Sequence, residues 1–393
     1  MSVSERAPGH ADVVVSNSGT RFGYNLVASL GRHGLRVAAG LDHRSGVVAF
    51  SRHAAARFRH PPAHGNEADF LEFLDQALLR YAPRVYLPGN EEVFLAARHR
   101  ERITRNGVRI AVAPLATLER LHDKASSLQL AEELGIPTPR TIVPRSLEEI
   151  SAFVREARGP TYLKLSRSSS SIGVFRLARE DVGAGTLRLL DHGKLAFGSF
   201  VLQEHVPGVG CGVGLLFEDG RARAHVAHRR LRERYPDGGP STLRETVDQG
   251  EMVAMAEALL TAVEFHGLAM VEFRWDVETG RLWFLEVNPR PWGSLALGIR
   301  AGVDLPVLLY RLAAEGSIER APAPRIGVRV RWLTGDLAAM HRRACLRRRL
   351  PAVREWFPRV DGYDEGSWGD PLPFVGSFLL PFLRRTPLHG GTG

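Results

Sequence analysis

Residues 270–294 read "MVEFRWDVETGRLWFLEVNPRPWGS", and this stretch decides the fold. Two apolar runs flank a turn at Thr279 and Gly280, the pattern of two antiparallel strands joined tightly. A hairpin symmetric about Thr279 sets Glu272 opposite Glu286 on one face. Like charges across a strand pair repel, and apolar neighbours on both strands raise the cost of desolvating them. The pairing makes sense around a cation. Side chains at i, i+2 and i+4 of an extended strand share a face, so Asn288 and, beyond Pro289, Arg290 are expected beside Glu286. Two carboxylates and an amide oxygen suit Mg²⁺, a hard ion that keeps positions open for nucleotide phosphates. A neighbouring guanidinium suits a phosphate, or an oxyanion that forms during transfer.

Outward from the hairpin, apolar runs predict strands at 161–165, 174–177, 200–204 and 213–217, with helices at 251–265 and 305–315. A serine-rich loop separates the first two strands. Apolar spacing over "TLERLHDKASSLQLAEELG" predicts one helix, ended by Gly135 before the extended "IPTPRT". Further back, "DVVVS" at 12–16, an amphipathic stretch at 22–33 and "LRVAAGL" from Leu35 read as strand, helix, strand. A helix at 67–81, a strand at 85–87 and a helix capped by Asn90 complete a small doubly wound α/β unit ending near residue 117. The turn "SGTRFG" lacks the G-x-G-x-x-G spacing of a dinucleotide fingerprint and reads as a plain strand-to-helix turn.

The bulk numbers set the bounds. A chain of 393 residues exceeds one ordinary core, so two or three domains are expected. No apolar run approaches the roughly 20 residues of a spanning helix, and residues 1–11 lack an apolar signal core. A cytoplasmic protein with no membrane partner is the expectation. Cys211 and Cys345 form no disulfide framework or metal spacing and read as small packing residues. The net charge of +9, arginine-rich, favours nucleotides, phosphates and carboxylates. Residues 341–356, "HRRACLRRRLPAVREW", carry the best case for nucleic acid, but no nucleic-acid motif accompanies them and no such partner is expected. They read instead as a helix with a solvated face. "DPLPFVGSFLLPF" is short and interrupted by proline, suited to packing on the body or at a subunit contact.

"VEF…FLEVNPRPWGS" resembles the magnesium-binding end of the ATP-grasp ligases, a family that includes biotin carboxylase, carbamoyl phosphate synthetase and D-alanine–D-alanine ligase. The resemblance runs from about residue 12 to 315. It implies an α/β fold: a Rossmann-like pre-ATP-grasp domain (1–117), a small lid subdomain (118–198), a large subdomain with the hairpin (199–318) and a basic C-terminal extension (319–393). It implies Glu272, Glu286 and Asn288 as Mg²⁺ ligands, with Mn²⁺ an alternative ion, and Arg290 on the transferred phosphoryl group. "HDKASSLQLAEELGIPTP" resembles the family's first lysine helix, with Lys124 reaching phosphates. "YLKLSRSSSSIGV" places Lys164 before a loop whose Ser168, Ser169, Ser170 and Gly173 would cover the phosphates; the family's loop holds more glycines. "FVLQEHVPG" resembles the adenine hinge, with Gln203, Glu204 and Val206 on the base. Gly210 stands where many relatives carry a ribose-binding carboxylate. "AHRRLRERYPDGGPS" is similar to a substrate-side loop, offering Arg229 and Arg230 as catalytic arginines, with Arg232 nearby. The implied activity joins a carboxylate, through an acyl phosphate, to an amine, with ADP and phosphate released. Small carboxylates and amines, amino acids among them, are the implied partners, and a homodimer is the family-level expectation. A bicarbonate-activating enzyme and an ATP-binding regulator without turnover are the alternatives.

Overall fold

The computed structural model describes residues 9–42, 46–167, 173–177, 195–235, 238–347 and 352–383. The N-terminal unit holds β1 (Val13–Val15), β2 (Val37–Leu41), β3 (Ala54–Arg59) and β4 (Val85–Leu87), all parallel, in the order β3-β2-β1-β4. The central strands are buried on both faces, which is why they read as unbroken apolar runs. Helices α1 (Arg21–Arg32) and α2 (Glu67–Tyr81) cover the sheet. Thr20 caps α1, its side chain accepting from Gly23 N. Strand β3 went unread in the sequence because an edge strand of "AAARFR" alternates only weakly.

Helix α3 (Glu92–Arg98), followed by the short α4 (Arg100–Thr104), begins one residue later than an Asn90 cap implies. Glu91 takes the cap position without a side-chain bond, and the Asn90 carbonyl accepts from Val93 N at 3.2 Å. The shift buries Glu92 at the carboxyl end of the parallel sheet. Asn17 Nδ2 donates to Glu92 Oε1 at 3.1 Å, while Glu92 Oε2 and Asn17 Oδ1 are both buried acceptors without a partner. A proton held on Glu92 turns one of the two into a donor. Burial pushes this carboxyl up to about 7, with Asp42 adding to the rise and Asn17 opposing it. Between pH 4.5 and 7 the folded state therefore holds a proton that the unfolded state has released, so stability falls as pH rises through that window. The size is about 3 kcal/mol. Glu92→Gln, which keeps the amide pair without a charge, is expected to flatten this part of the stability–pH curve in urea unfolding at pH 5 and 7.5. An unchanged slope counts against a protonated Glu92.

The single helix expected over "TLERLHDKASSLQLAEELG" is two. Helix α5 (Leu115–His122) ends at Asp123, which takes an extended conformation and caps α6 (Lys124–Glu133) through Ser126 N at 2.9 Å. An N-cap aspartate satisfies the orphan amides of a helix start, and here it outweighs the continuous apolar spacing. The break sets Lys124 on the first turn of α6, 4% exposed.

A small antiparallel sheet follows, in the order β5-β8-β6-β7: β5 (Thr141–Ile142), β6 (Thr161–Leu165), β7 (Val174–Leu177) and β8 (Phe200–Glu204). Helix α7 (Leu147–Glu156) packs on it through Ile150, Phe153 and Val154 against Leu163, Phe200 and Leu202. The sequence reading passed over this helix: Ser146 caps Glu149 N, and Glu149 returns to the backbone at Arg145 N. The boundary placed at 198/199 cuts this sheet. Strand β8 pairs with both β5 and β6, so the small unit extends through Glu204. Ser168, Ser169 and Ser170, expected to cover the phosphates, lie outside the described residues. Gly173 returns the chain into β7 with φ 74°, lying so close to Leu165 that an added Cβ would stand 2.3 Å from its Cδ1.

The large sheet has seven strands in the order β13-β12-β9-β10-β11-β14-β15. They are β9 (Val209–Glu218), β10 (Arg221–Tyr235), β11 (Gly238–Thr246), β12 (Gly267–Trp275), β13 (Leu282–Asn288), β14 (Arg329–Arg331) and β15 (Gly362–Tyr363). Its apolar side chains merge with those of the N-terminal unit into shared cores, Val14, Phe70 and Tyr86 clustering with Val213, Phe273 and Phe284. The segment "AHRRLRERY" is therefore strand, not loop. Nor is 319–393 a mere extension. Strands β14 and β15 complete the large sheet, and helix Leu333–Arg347 packs on β10 and β11. Helix Leu372–Leu383 lies on the N-terminal unit at Val47–Phe50, with Gly376 against Phe50. No helix among the described residues is long and apolar enough to cross a membrane.

Candidate active site

The hairpin of β12 and β13 pairs Glu272 with Glu286, and Met270 with Asn288. Past Glu272 the register slips by one, so Phe273 faces Phe284 and Leu285 is the unpaired residue of a bulge. The hairpin is thus symmetric about Thr279 only at its site end. Asn288 Nδ2 stands 3.2 Å from Glu272 Oε1 and 3.5 Å from Glu286 Oε1. Arg290, 5% exposed, donates to Asn288 Oδ1 at 3.0 Å and to Pro291 O at 2.9 Å.

These carboxylates are held apart in charge. Burial pushes Glu272 up, Arg230 pulls it down and Glu286 pushes it up again, and the net effect is a rise. Burial pushes Glu286 up as well, but Lys124 and Lys164 outweigh it and leave it below the usual carboxylate range. Lys124 Nζ lies 3.1 Å from Glu286 Oε2. Burial draws Lys164 down to about 8, against the pull of Glu286. Its Nζ donates to Gln203 Oε1 at 2.5 Å, and Gln203 Nε2 donates to Thr141 Oγ1 at 3.0 Å.

A cavity of ≈ 470 Å³ opens between the small and large sheets. Lys124, Lys164, Gln203, Glu204, Val206, Glu272 and Glu286 all line it. That volume is within the range of cofactor sites. The structure thus brings together both lysines, the three hinge residues and the two carboxylates. Glu204 also accepts from Arg158 N at 2.6 Å. A second cavity of ≈ 130 Å³ adjoins it, lined by Arg21, His228, Arg230, Glu272, Glu286, Asn288, Arg290 and Trp292 among others. Arg230, Glu272 and Glu286 are common to both.

The arginines divide by strand alternation. Arg230 faces the site, its Nη2 2.5 Å from Glu272 Oε2 and its Nη1 3.1 Å from Glu233 Oε1. Arg229 does not. It pairs with Glu245, which also takes Arg329, and lines neither cavity. Arg232 is committed to Asp336 of the helix Leu333–Arg347, at 2.9 Å. His228 is buried, and burial together with Arg230 and Arg244 lowers it to about 3, so it is a neutral imidazole at neutral pH. Cys211 is a core residue whose thiol burial pushes up to about 12.

Residues 196–336 match the model of a family described as "ATP-grasp in the biosynthetic pathway with Ter operon". The chain carries an ATP-grasp domain. Over 216 residues it is 29% identical to a D-alanine–D-alanine ligase of Pseudomonas entomophila, a match covering 50% of this chain and 65% of that protein. The chain thus spans about two thirds of the length of the curated relatives it matches, just short of that share. Among solved structures it is similar to the biotin carboxylase domain of the Hydrogenobacter thermophilus 2-oxoglutarate carboxylase, crystallised with MgADP and bicarbonate (TM-score 0.63, 16% identity, 81% of this chain and 73% of that one). It is also similar to an L-amino acid ligase of Bacillus licheniformis (TM-score 0.59, 15% identity, 80% of this chain and 76% of that one).

Within the ATP-grasp domain, Gly210 leaves a gap that another strand fills. A Cβ there would stand 2.8 Å from Glu233 Oε1 and from Arg230 Cδ. Glu233 was missed in the sequence because it enters from β10, 23 positions on, past a register shift that no spacing announces. Arg21 and Trp292 were missed too. Arg21 sits in the turn read as plain, and Trp292 is seated on Gly214, where an added Cβ would stand 2.1 Å from the indole.

Proposed function

We propose that the protein is an ATP-dependent carboxylate–amine ligase that works through an acyl phosphate. One observation carries the reading: Glu272, Glu286 and Arg230 are shared between the cavity that holds the two lysines and the cavity that holds Arg290. A nucleotide on one side and an acid on the other would meet at that hairpin. Glu272, Glu286 and Asn288 fit a magnesium ion, since two carboxylates and an amide leave positions for phosphate oxygens. Bound there, Mg²⁺ or Mn²⁺ would neutralise phosphate charge. Gln203, Glu204 and Val206 would receive the base, and Lys124 and Lys164 the phosphates as point charges. Arg290 and Arg230 would orient the acid and stabilise the equatorial oxygens of the transferring phosphoryl group.

The chemistry balances without a redox partner. A carboxylate oxygen attacks the γ-phosphorus, the bond to the β-bridging oxygen breaks and ADP leaves. An amine nitrogen then attacks the acyl carbon. Phosphate departs with the bonding pair, and the amine's proton passes to phosphate or solvent. Acyl phosphates hydrolyse in water, so the cleft between the sheets serves to exclude it.

The test is ATP-to-ADP turnover with Mg²⁺, pooled small carboxylates and pooled amines including amino acids. Phosphate release that needs both an acid and an amine is the expected result. Release with bicarbonate alone identifies the carboxylase-type reaction. Nucleotide binding without turnover points to a regulator.

A further inference from the structure

We propose that the helix Leu372–Leu383 docks on an anionic lipid surface, lying in its interface without crossing it. The helix is pinned at its start. Asp370 accepts from Ser51 Oγ at 2.6 Å, from Arg52 N at 3.1 Å and from Tyr24 Oη at 3.3 Å. Gly376 lies against Phe50, and Phe374 meets Tyr363 edge to face with ring centres 5.3 Å apart. One face is thus fixed to the body, and the other cannot turn inward. That outer face is apolar. Leu372, Val375 and Leu379 follow the i, i+3, i+7 spacing of one stripe, Phe378 stands beside Leu379, and all four are 46% to 59% exposed. Trp368, in the turn before the helix, is fully exposed. No charged residue occurs between Pro371 and Leu383. A contiguous apolar stripe marks an interaction surface, whereas scattered surface apolar residues do not.

The surrounding charges choose the partner. Arg52 reaches the turn, its Nη2 3.8 Å from a Cβ added at Gly369, and Arg57 donates to Ser51 O. Within 47–62 and 362–383 the exposed charges are Arg52, Arg57 and Arg59, while the acids Asp364, Glu365 and Asp370 are all buried. Arg384 and Arg385 follow the helix in the sequence. A second copy would set this patch against itself across a two-fold axis, arginine against arginine with no exposed acid to pair, on chains that each carry a formal +9. The residues after the helix, "RRTPLHGGTG", bring Leu388 as their one large apolar side chain, too little to cover the stripe. An anionic headgroup layer meets both demands. Its phosphates take the arginines, its boundary takes the Trp368 ring, and the stripe sinks just below.

Twelve residues span about 18 Å, well short of the roughly 30 Å of a hydrocarbon core, so the helix lies on the bilayer. Stable attachment of this kind takes two signals, and the apolar stripe and the arginines beside it are two. The expectation of no membrane partner came from the length of apolar runs. Run length does not tell which face of a short helix stays uncovered. None of these residues lines either cavity, so substituting them leaves the site itself intact.

Co-sedimentation of the full-length protein with vesicles tests this. Vesicles of phosphatidylcholine alone are compared with vesicles in which about one third is phosphatidylglycerol. Binding to the anionic vesicles is expected to be at least about tenfold tighter, and to weaken by a similar factor between about 0.1 M and 0.5 M salt. Leu372→Glu together with Leu379→Glu, both at exposed positions, should cost at least about tenfold on the anionic vesicles while the urea midpoint holds. Should that pair disturb the fold, Trp368→Ala removes a side chain that lies wholly in solvent and should weaken binding severalfold. Arg52→Gln with Arg59→Gln should erase most of the preference for anionic over neutral vesicles. No binding to anionic vesicles, equal binding to the two kinds, or unchanged binding in the folded glutamate variant overturns the inference. So does a dimer, seen by sedimentation velocity without lipid, that the same glutamates dissociate, because it gives the face to a second copy.

Discussion

Replacing Glu286 with glutamine is expected to cut Mg·ATP-dependent phosphate release by at least about a hundredfold, since even groups behind a metal ligand are worth ten- to a hundredfold. The side chain keeps its size, so the effect isolates its charge. That charge has three neighbours: Glu272 across the strand pair, Lys124 at 3.1 Å and Lys164 in the same field. Neutralising it removes an oxygen donor of full charge from the proposed ion site. It also frees Lys124 and Lys164 from their counter-charge, which makes the cleft more positive. Nucleotide binding without metal should therefore hold or tighten while turnover collapses. Calorimetry with ADP in EDTA, beside the phosphate-release assay, separates the two effects. Full turnover in the variant removes Glu286 from the ion site, and equal losses of binding and turnover mean that the cleft itself has changed.

Asp364→Ala should be the most destabilising single change outside the hydrophobic core, by about 3–5 kcal/mol. Arg244 is completely buried and reaches Asp364 through both terminal nitrogens, while its Nε has no partner. Removing the carboxylate strands a desolvated guanidinium and releases Arg21 as well. The site ties α1, β11 and the chain after β15 together, so the loss should appear as a lower urea midpoint and as earlier exchange of the backbone amides in the N-terminal unit. Arg140→Ala is the control. Its pair with Glu156 is exposed on both sides and should be worth under about 1 kcal/mol. A comparable loss in the two variants would show that burial does not set the strength of the Asp364 contacts.

The elements with strong periodicity were legible. The parallel strands β1, β2 and β4 are buried on both faces and read as apolar runs, and α2 and the helix Leu305–Glu315 have amphipathic spacing between plain caps. The pairing of Glu272 with Glu286 followed from counting residues about a turn. What failed was any reading that one residue could reverse. Asp123 splits a helix because a capping carboxylate competes with continued apolar spacing. Arg229 leaves the site and Arg230 enters it because a strand alternates faces, whereas the loop expected there would not have separated them.

By itself, then, the sequence determined the α/β class, the order of most elements and the acidic hairpin, because those depend on patterns within a dozen residues of one another. The tertiary structure alone decided the rest. It closed β14 and β15 onto the large sheet, brought Arg21 and Glu233 to the cleft and set Asp364 behind Arg21, from the two ends and the middle of the chain. Buried charges have no local signature: each is tolerated only because a distant partner offsets its desolvation, and only folding can say which partner that is.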